Sequence, residues 1–339
     1  MNRILRLASA LLLVPFALGR AQDLDRAPHT VGWLTRPDAR LEYLDFGNQT
    51  GATVVLLPGY GDNAHAYDDL APTLARRYHV IALTPRGHGA SSTPSSGYTV
   101  HAFADDLKAL LDTLRIRRAV LVAHSAGGAT ITDFAVRNPD RVIGLVYLDA
   151  AGDLAGRDSV LAANPVRRPA PTDSTAAGAR RWYREMFFGF WSDAIENSFR
   201  SHGTDSLARN RPKLLPQFLA DYQRNPADYR GVRAPALIIA AVKTVDANYP
   251  WLRGSGHDAE RARAQQYLDR ILNPWYAAGA LRAHSEMPRS RIVNLPGHHY
   301  IFVTEQRRVT EEILRFLTGD LRLASFKHQR ANERRSWQR

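Results

Sequence analysis

Ala119-Val120-Leu121-Val122-Ala123-His124-Ser125-Ala126-Gly127-Gly128 runs from an apolar stretch into a helix-forming one, with a serine at the junction. The apolar run predicts a buried strand over 119–123, and residues 126–137 predict a helix that Asn138-Pro139 stops. A serine at the apex of such a strand-to-helix turn has a strained backbone, so the residues two before and two after it must be small. Ala123 and Gly127 meet that need. The turn exposes the hydroxyl above the sheet and aims the amide of Ala126 at the same point. At the start of a helix that N–H also favours developing negative charge. Ala123 stands where such turns normally carry glycine. The plain alternative is a buried strand that ends in an ordinary Ser-Ala-Gly-Gly turn.

Outward from this junction, apolar runs bounded by turn residues alternate with amphipathic stretches, the pattern of a mostly parallel sheet covered by helices. Strands are expected at 53–57, 79–83, 142–148, 236–241 and 291–295. Helices are expected at 63–77, 101–114, around 260–278 and at 305–317. In the second of these Phe103, Leu107, Leu110, Leu111 and Leu114 share one face. Residues 31–34 and 41–46, parted by Arg36-Pro37-Asp38, read as an N-terminal hairpin. Residues 153–230 break the rhythm. They carry no strand signal, mix Pro, Arg and Asp, and hold an aromatic cluster at Trp182, Tyr183, Phe187, Phe188, Phe190 and Trp191. A helical insertion in a sheet protein is read here as a lid, although an aromatic stripe of this kind also serves packing between helices.

Three blocks carry a resemblance to a known family. They are Leu57-Pro58-Gly59-Tyr60-Gly61-Asp62-Asn63, Thr84-Pro85-Arg86-Gly87-His88-Gly89-Ala90-Ser91, and His124-Ser125-Ala126-Gly127-Gly128. In this order and spacing, residues 53–150 and 235–318 resemble the α/β-hydrolases, in particular the lid-bearing, epoxide-hydrolase-like and esterase-like group. Pro58 replaces the histidine usual before that glycine, and Thr84 replaces a frequent aspartate. The resemblance implies an α/β fold with a helical lid, and Ser125 as nucleophile. Epoxide hydrolases and dehalogenases of this fold use aspartate there, so those two chemistries are disfavoured. It also implies an oxyanion hole made by the backbone N–H groups of Tyr60 and Ala126, with Gly59 and Gly61 freeing the loop to turn inward.

A serine hydroxyl needs a general base, and histidine has the suitable basicity. The family places it after the last strand, here in Leu295-Pro296-Gly297-His298-His299-Tyr300-Ile301-Phe302. The family pattern of an apolar or aromatic residue directly after the base favours His299 over His298. His88 and His124 read as structural. The acid that orients the base usually follows the strand at 236–241, which favours Asp246. Asp149, at the end of the 142–148 strand, is the alternative, because some members place the acid there.

The chain has 339 residues, 45% of them apolar and 23% charged, the balance of an ordinary globular protein with one large domain. Arg3, Arg6 and the apolar run 7–18, followed by small residues at Ala17, Gly19 and Ala21, read as a signal peptide over 1–21. The run is shorter than the roughly 20 residues a membrane helix needs, which disfavours an uncleaved anchor. An exported protein, periplasmic or secreted, is therefore expected. The organisation is a signal peptide at 1–21, core at 28–152, lid at 153–230, core again at 231–319 and a basic tail at 320–339. Cysteine is absent, which excludes disulfides and thiolate chemistry. No His-Glu-x-x-His or comparable cluster appears, so neither a metal nor a cofactor is expected. The formal charge of +12 is drawn partly from Arg322, Lys327, Arg330, Arg334, Arg335 and Arg339. That tail lacks the aromatic interleaving of a single-strand binder, so nucleic acid is not an expected partner.

The expected partner is a small ester-like molecule, with a leaning towards a hydrophobic one, cleaved through an acyl-enzyme. The same fold also serves peptide, lactone and C–C bond cleavage and cofactor-free peroxidation. A reading of another class is a binding protein whose catalytic residues are vestigial.

Overall fold

The computed structural model describes residues 28–47, 51–152, 154–170 and 220–321, with scattered positions between 172 and 218. The expected signal, nearly all of the basic tail and most of the 153–230 insertion, including Tyr183, Phe187, Phe188, Phe190 and Trp191, lie outside the described residues.

The hairpin forms as expected: β1 (Thr30–Thr35) pairs antiparallel with β2 (Arg40–Asp45), Thr30 opposite Asp45. The further strands are β3 (Thr53–Leu57), β4 (His79–Leu83), β5 (Ala119–His124), β6 (Val142–Leu148), β7 (Ala236–Lys243) and β8 (Ser290–Gly297). They form one sheet in the order β1-β2-β4-β3-β5-β6-β7-β8, parallel from β4 to β8 and antiparallel where β2 meets β4. Alternate side chains of each strand enter opposite layers. Val54 and Leu56 join Tyr67, Phe302 and Ile313 on one face, while Val55 and Leu57 join Leu107, Phe134 and Tyr229 on the other. With both faces covered, the inner strands read as unbroken apolar runs. Each fully buried Val or Leu contributes about 1.5–3 kcal/mol to that arrangement.

The covering helices are α1 (Ala71–Ala75), α2 (Val100–Thr113), α3 (Gly127–Arg137), α4 (Arg157–Ala162), α5 (Val245–Asn248), α6 (Asp258–Tyr267), α7 (Asn273–Glu286), α8 (Ile301–Thr304) and α9 (Gln306–Arg315). Two differ from expectation. The helix expected over 63–77 is split into a 3-10 turn, Ala64–Tyr67, and the short α1. Asn63 caps the turn by accepting the His65 N–H, and Pro72, lacking an N–H, restarts the chain as helix. The helix expected near 260–278 runs on to Glu286, because α6 and α7 are joined by a wide turn at Leu268–Leu272 rather than a break. Among the described residues no helix is long and apolar enough to cross a membrane.

In open parallel sheets ligands bind beyond the carboxyl ends of the strands. Tyr60 follows β3, Ser125 follows β5, Asp149 follows β6, Lys243 ends β7 and His299 follows β8, all at that one edge.

Candidate active site

The turn between β5 and α3 has the anticipated strain. Ser125 has φ of +50°, a left-handed conformation that non-glycine residues rarely adopt. Its surroundings leave no room for larger neighbours. A Cβ on Gly127 would lie 2.9 Å from the carbonyl oxygens of both Leu57 and Pro58, and one on Gly59 would lie 2.9 Å from the Cβ of Ser125. Gly59 thus lets the loop after β3 lie directly against the serine. Tyr60 and Ala126 sit beside it and border the same cleft.

His299 meets Ser125 from the far side. Its Nε2 is 2.8 Å from the Ser125 Oγ, and its Nδ1 is 2.6 Å from Asp149 Oδ2. An ionised carboxylate only accepts, so Nδ1–H donates to Asp149 and the Nε2 lone pair faces the serine hydroxyl. His298 faces elsewhere: it is buried, and its Nδ1 accepts the Tyr300 N–H at 3.1 Å. His124 is buried behind the pair, with its Nε2–H donated to the His299 carbonyl at 3.1 Å. It steadies the loop that carries His299.

The preferred acid is corrected. Asp246 does not reach the histidine: it lies on α5 with its side chain 68% exposed and bound to Arg261 at 2.7 Å. The short α5 turns that side chain outward. Asp149 comes to the histidine instead, because its own φ of +47° tips its carboxylate across the ends of β6 and β7. There it accepts the Ala241 N–H at 2.9 Å and two bonds from Lys243 Nζ, at 2.9 and 2.7 Å. Two left-handed residues, Ser125 and Asp149, therefore terminate adjacent parallel strands. Strain of this kind gathers where geometry matters more than local stability.

A model described as the alpha/beta hydrolase fold matches residues 52–250. The chain belongs to that family. It is 30% identical over 216 residues to 3-oxoadipate enol-lactonase 2 of Acinetobacter baylyi, covering 63% of this chain and 80% of that one. A putative non-heme haloperoxidase of Mycobacterium phage D29 is 38% identical over 112 residues, 33% of this chain and 40% of its own length. An uncharacterized protein of Mycobacterium tuberculosis is 35% identical over 128 residues, so this chain spans only 37% of that relative's length. Among solved structures, E-2-(acetamidomethylene)succinate hydrolase superposes with a TM-score of 0.62 at 21% identity, over 86% of this chain and 99% of that one. A likeness at that identity concerns the fold.

In this α/β-hydrolase, burial and charge act against each other at Asp149. Burial alone would push the Asp149 carboxyl up, but the Lys243 ammonium and the His299 hydrogen bond outweigh it and hold the group well below the usual carboxylate range. Asp149 is thus ionised at neutral pH. If it orients His299, Asp149→Asn is expected to lower kcat about 10,000-fold by imposing the wrong imidazole tautomer. Asp246→Asn should leave kcat within a factor of about two, as exposed substitutions usually do. Steady-state kinetics of the two variants checks this.

His298 has the opposite leaning. Burial, and then the neighbouring His299, pull it down to about 3. The folded chain therefore keeps it neutral, while the unfolded chain protonates it near pH 6.5. Between those two values the unfolded state binds more protons, so stability falls as pH drops below about 6.5, by up to about 1.4 kcal/mol per pH unit for this group. Buried His124, also held well below its usual value, adds a slope of the same sign. Urea titrations from pH 7 to pH 4 should show this loss, and a shallower one in His298→Gln.

The second sequence block is a scaffold for the cleft floor. Buried Arg86 donates to both oxygens of Asp106 at 2.7 Å and to Asp38 at 2.6 Å, and His88 Nδ1–H donates to the Arg86 carbonyl at 2.8 Å. These bonds fix the loop that presents Pro85 and His88 to the cleft. The cleft encloses about 440 Å³, counted with the solvent at its mouth, between Tyr60, Phe103, Ala126 and Phe218. Tyr60 and Phe103 each stack on Phe218, with ring centroids 5.8 and 5.5 Å apart. Among the described residues no group of His, Asp and Glu is arranged to hold a metal ion.

Proposed function

We propose that the protein is a serine hydrolase that cleaves a carboxylic ester, or a related acyl bond, through an acyl-enzyme on Ser125. The observation that carries this reading is the continuous chain Ser125 Oγ–His299 Nε2, His299 Nδ1–Asp149 Oδ2, at 2.8 and 2.6 Å. His299 takes the hydroxyl proton as Ser125 Oγ attacks the carbonyl carbon. The tetrahedral oxyanion accepts hydrogen bonds from the Tyr60 and Ala126 amides, and losing one such donor typically costs about 100- to 1,000-fold in rate. His299 then returns its proton to the leaving alkoxide, which departs as the alcohol. A water molecule, deprotonated by the same imidazole, releases the acyl group as the carboxylic acid and restores Ser125.

The walls of the cleft favour an apolar group beside the scissile bond. Leu57, Leu83, Phe103 and Phe218 offer it no charge, and Asp106 is already committed to Arg86. A ring ester is the second reading, favoured by the similarity to an enol-lactonase over most of that relative's length. It uses the same steps, with the alcohol tethered to the acyl group. The test is a screen of p-nitrophenyl esters by chain length, alongside lactones and anilides. Turnover of esters or lactones with no detectable amide cleavage supports the proposal. Turnover of neither, together with no labelling by a fluorophosphonate, would leave the fold as a binding protein. Export through the 1–21 segment belongs to the same proposal, and an N-terminal sequence of the native protein beginning near residue 20 or 22 would support it.

A further inference from the structure

Lys243 is a charged side chain 2% exposed at the end of an apolar strand, and the proposed steps leave it without a role. Its main chain is clamped: its N–H donates to Asn273 Oδ1 at 2.8 Å, and Asn273 Nδ2 donates back to its carbonyl at 2.9 Å. Its ammonium donates to both Asp149 oxygens and to the Ala241 carbonyl at 3.1 Å, and lies 3.1 Å from the centre of the Tyr276 ring. An ammonium has three donors, and all three are directed at named oxygens. Burying a charge in this way is costly without a partner of opposite sign, and the partner is the carboxylate that holds His299.

We propose, building on the serine-hydrolase reading above, that Lys243 is the internal counter-ion of Asp149: it cancels the carboxylate's charge beside His299 and so keeps that imidazole in its proton-accepting form further into acid. An uncompensated carboxylate attracts a proton to the adjacent imidazole, which removes the base. The same carboxylate bound to an ammonium still fixes the Nδ1–H tautomer, but with little net field. Lys243 acts through Asp149 and is a positioning residue.

Of the other groups facing this cluster, the two histidines and the tyrosine are neutral. His124, from the end of β5, and His298, beside His299, are pulled down chiefly by burial, and the Tyr276 phenol on α7 is pushed up by burial. Tyr300 packs on His298 with ring centroids 5.8 Å apart. Asp62, from the loop after β3, lies 3.8 Å from His124 Nδ1, on the far side of that ring from its bond to the His299 carbonyl. Arg157 and Arg168 act on Tyr276 and His298 through charge alone. Asp149 and Lys243 are therefore the charged pair that touches the site.

The test is the pH profile of kcat/KM and of fluorophosphonate labelling for wild type, Lys243→Met and Lys243→Gln, with folding monitored at each pH. Both variants are expected to move the acid limb up by about one to two pH units, the usual effect of exposing one nearby charge, while the plateau rate changes far less. A limb that stays in place while the rate falls at every pH would make the lysine merely structural. A shift in Lys243→Met that is absent in Lys243→Gln would assign the role to hydrogen bonding and overturn the charge argument. Should both single variants fail to fold, Lys243→Met/Asp149→Asn removes both buried charges. It should fold and label slowly, with its acid limb coinciding with the wild type's, since both pairs have zero net charge. A displaced limb in the double variant would contradict the proposal. Wild-type labelling separates the two levels: its absence removes the hydrolase reading, whereas labelling with an unmoved limb removes only the role of Lys243.

Discussion

Ser125→Ala is expected to lose roughly a millionfold in kcat, the scale of removing a nucleophile that works as one unit with its base. The substitution deletes one oxygen and keeps the Cβ, so the strained φ of +50° and the packing against Gly59 are unchanged. The variant should keep its melting temperature and circular dichroism while it stops turning over short-chain p-nitrophenyl esters. What survives is the oxyanion hole and substrate binding, typically worth about 1,000- to 10,000-fold over water. Turnover within tenfold of wild type would remove Ser125 from the reaction.

His299→Ala is expected to cost nearly as much, because a serine hydroxyl without a base is a poor nucleophile near neutral pH. The informative comparison is with His298→Gln, one residue away. His298 is buried and bonded to the Tyr300 N–H, so its loss should lower stability and leave kcat within about tenfold. A large loss of kcat in His298→Gln with His299→Ala still active would reverse the assignment. The added loss of the Asp149 contact in His299→Ala does not confuse the result, because Lys243 and the Ala241 N–H continue to hold that carboxylate.

The strands were legible because each inner strand is buried on both faces and so reads as an uninterrupted apolar run. The 119–128 junction was legible because a strained turn permits only small residues at 123 and 127, a purely local rule. The acid was not legible in that way. Asp149 and Asp246 both follow strand ends, and only the path of the chain decides which carboxylate crosses to the loop after β8. Asp246 sits on a short helix facing solvent, while the left-handed turn at Asp149 directs it across β7. One signal in the sequence did point to the answer. Lys243 continues the apolar run 236–241, and an ammonium placed there needs a buried carboxylate beside it, which an exposed Asp246 does not supply. The split of the 63–77 helix was missed because Pro72, a helix-start signal, is set inside a helical pattern.

The central claim is that His299, fixed by Asp149, activates Ser125 above all other serines. Incubation with a fluorophosphonate followed by intact-mass measurement and peptide mapping tests it most directly. One adduct per chain, located on Ser125, with labelling slowed at least a hundredfold in His299→Ala, is the predicted result. An adduct on a different residue, or labelling of Ser125 at the same rate without His299, would contradict the account.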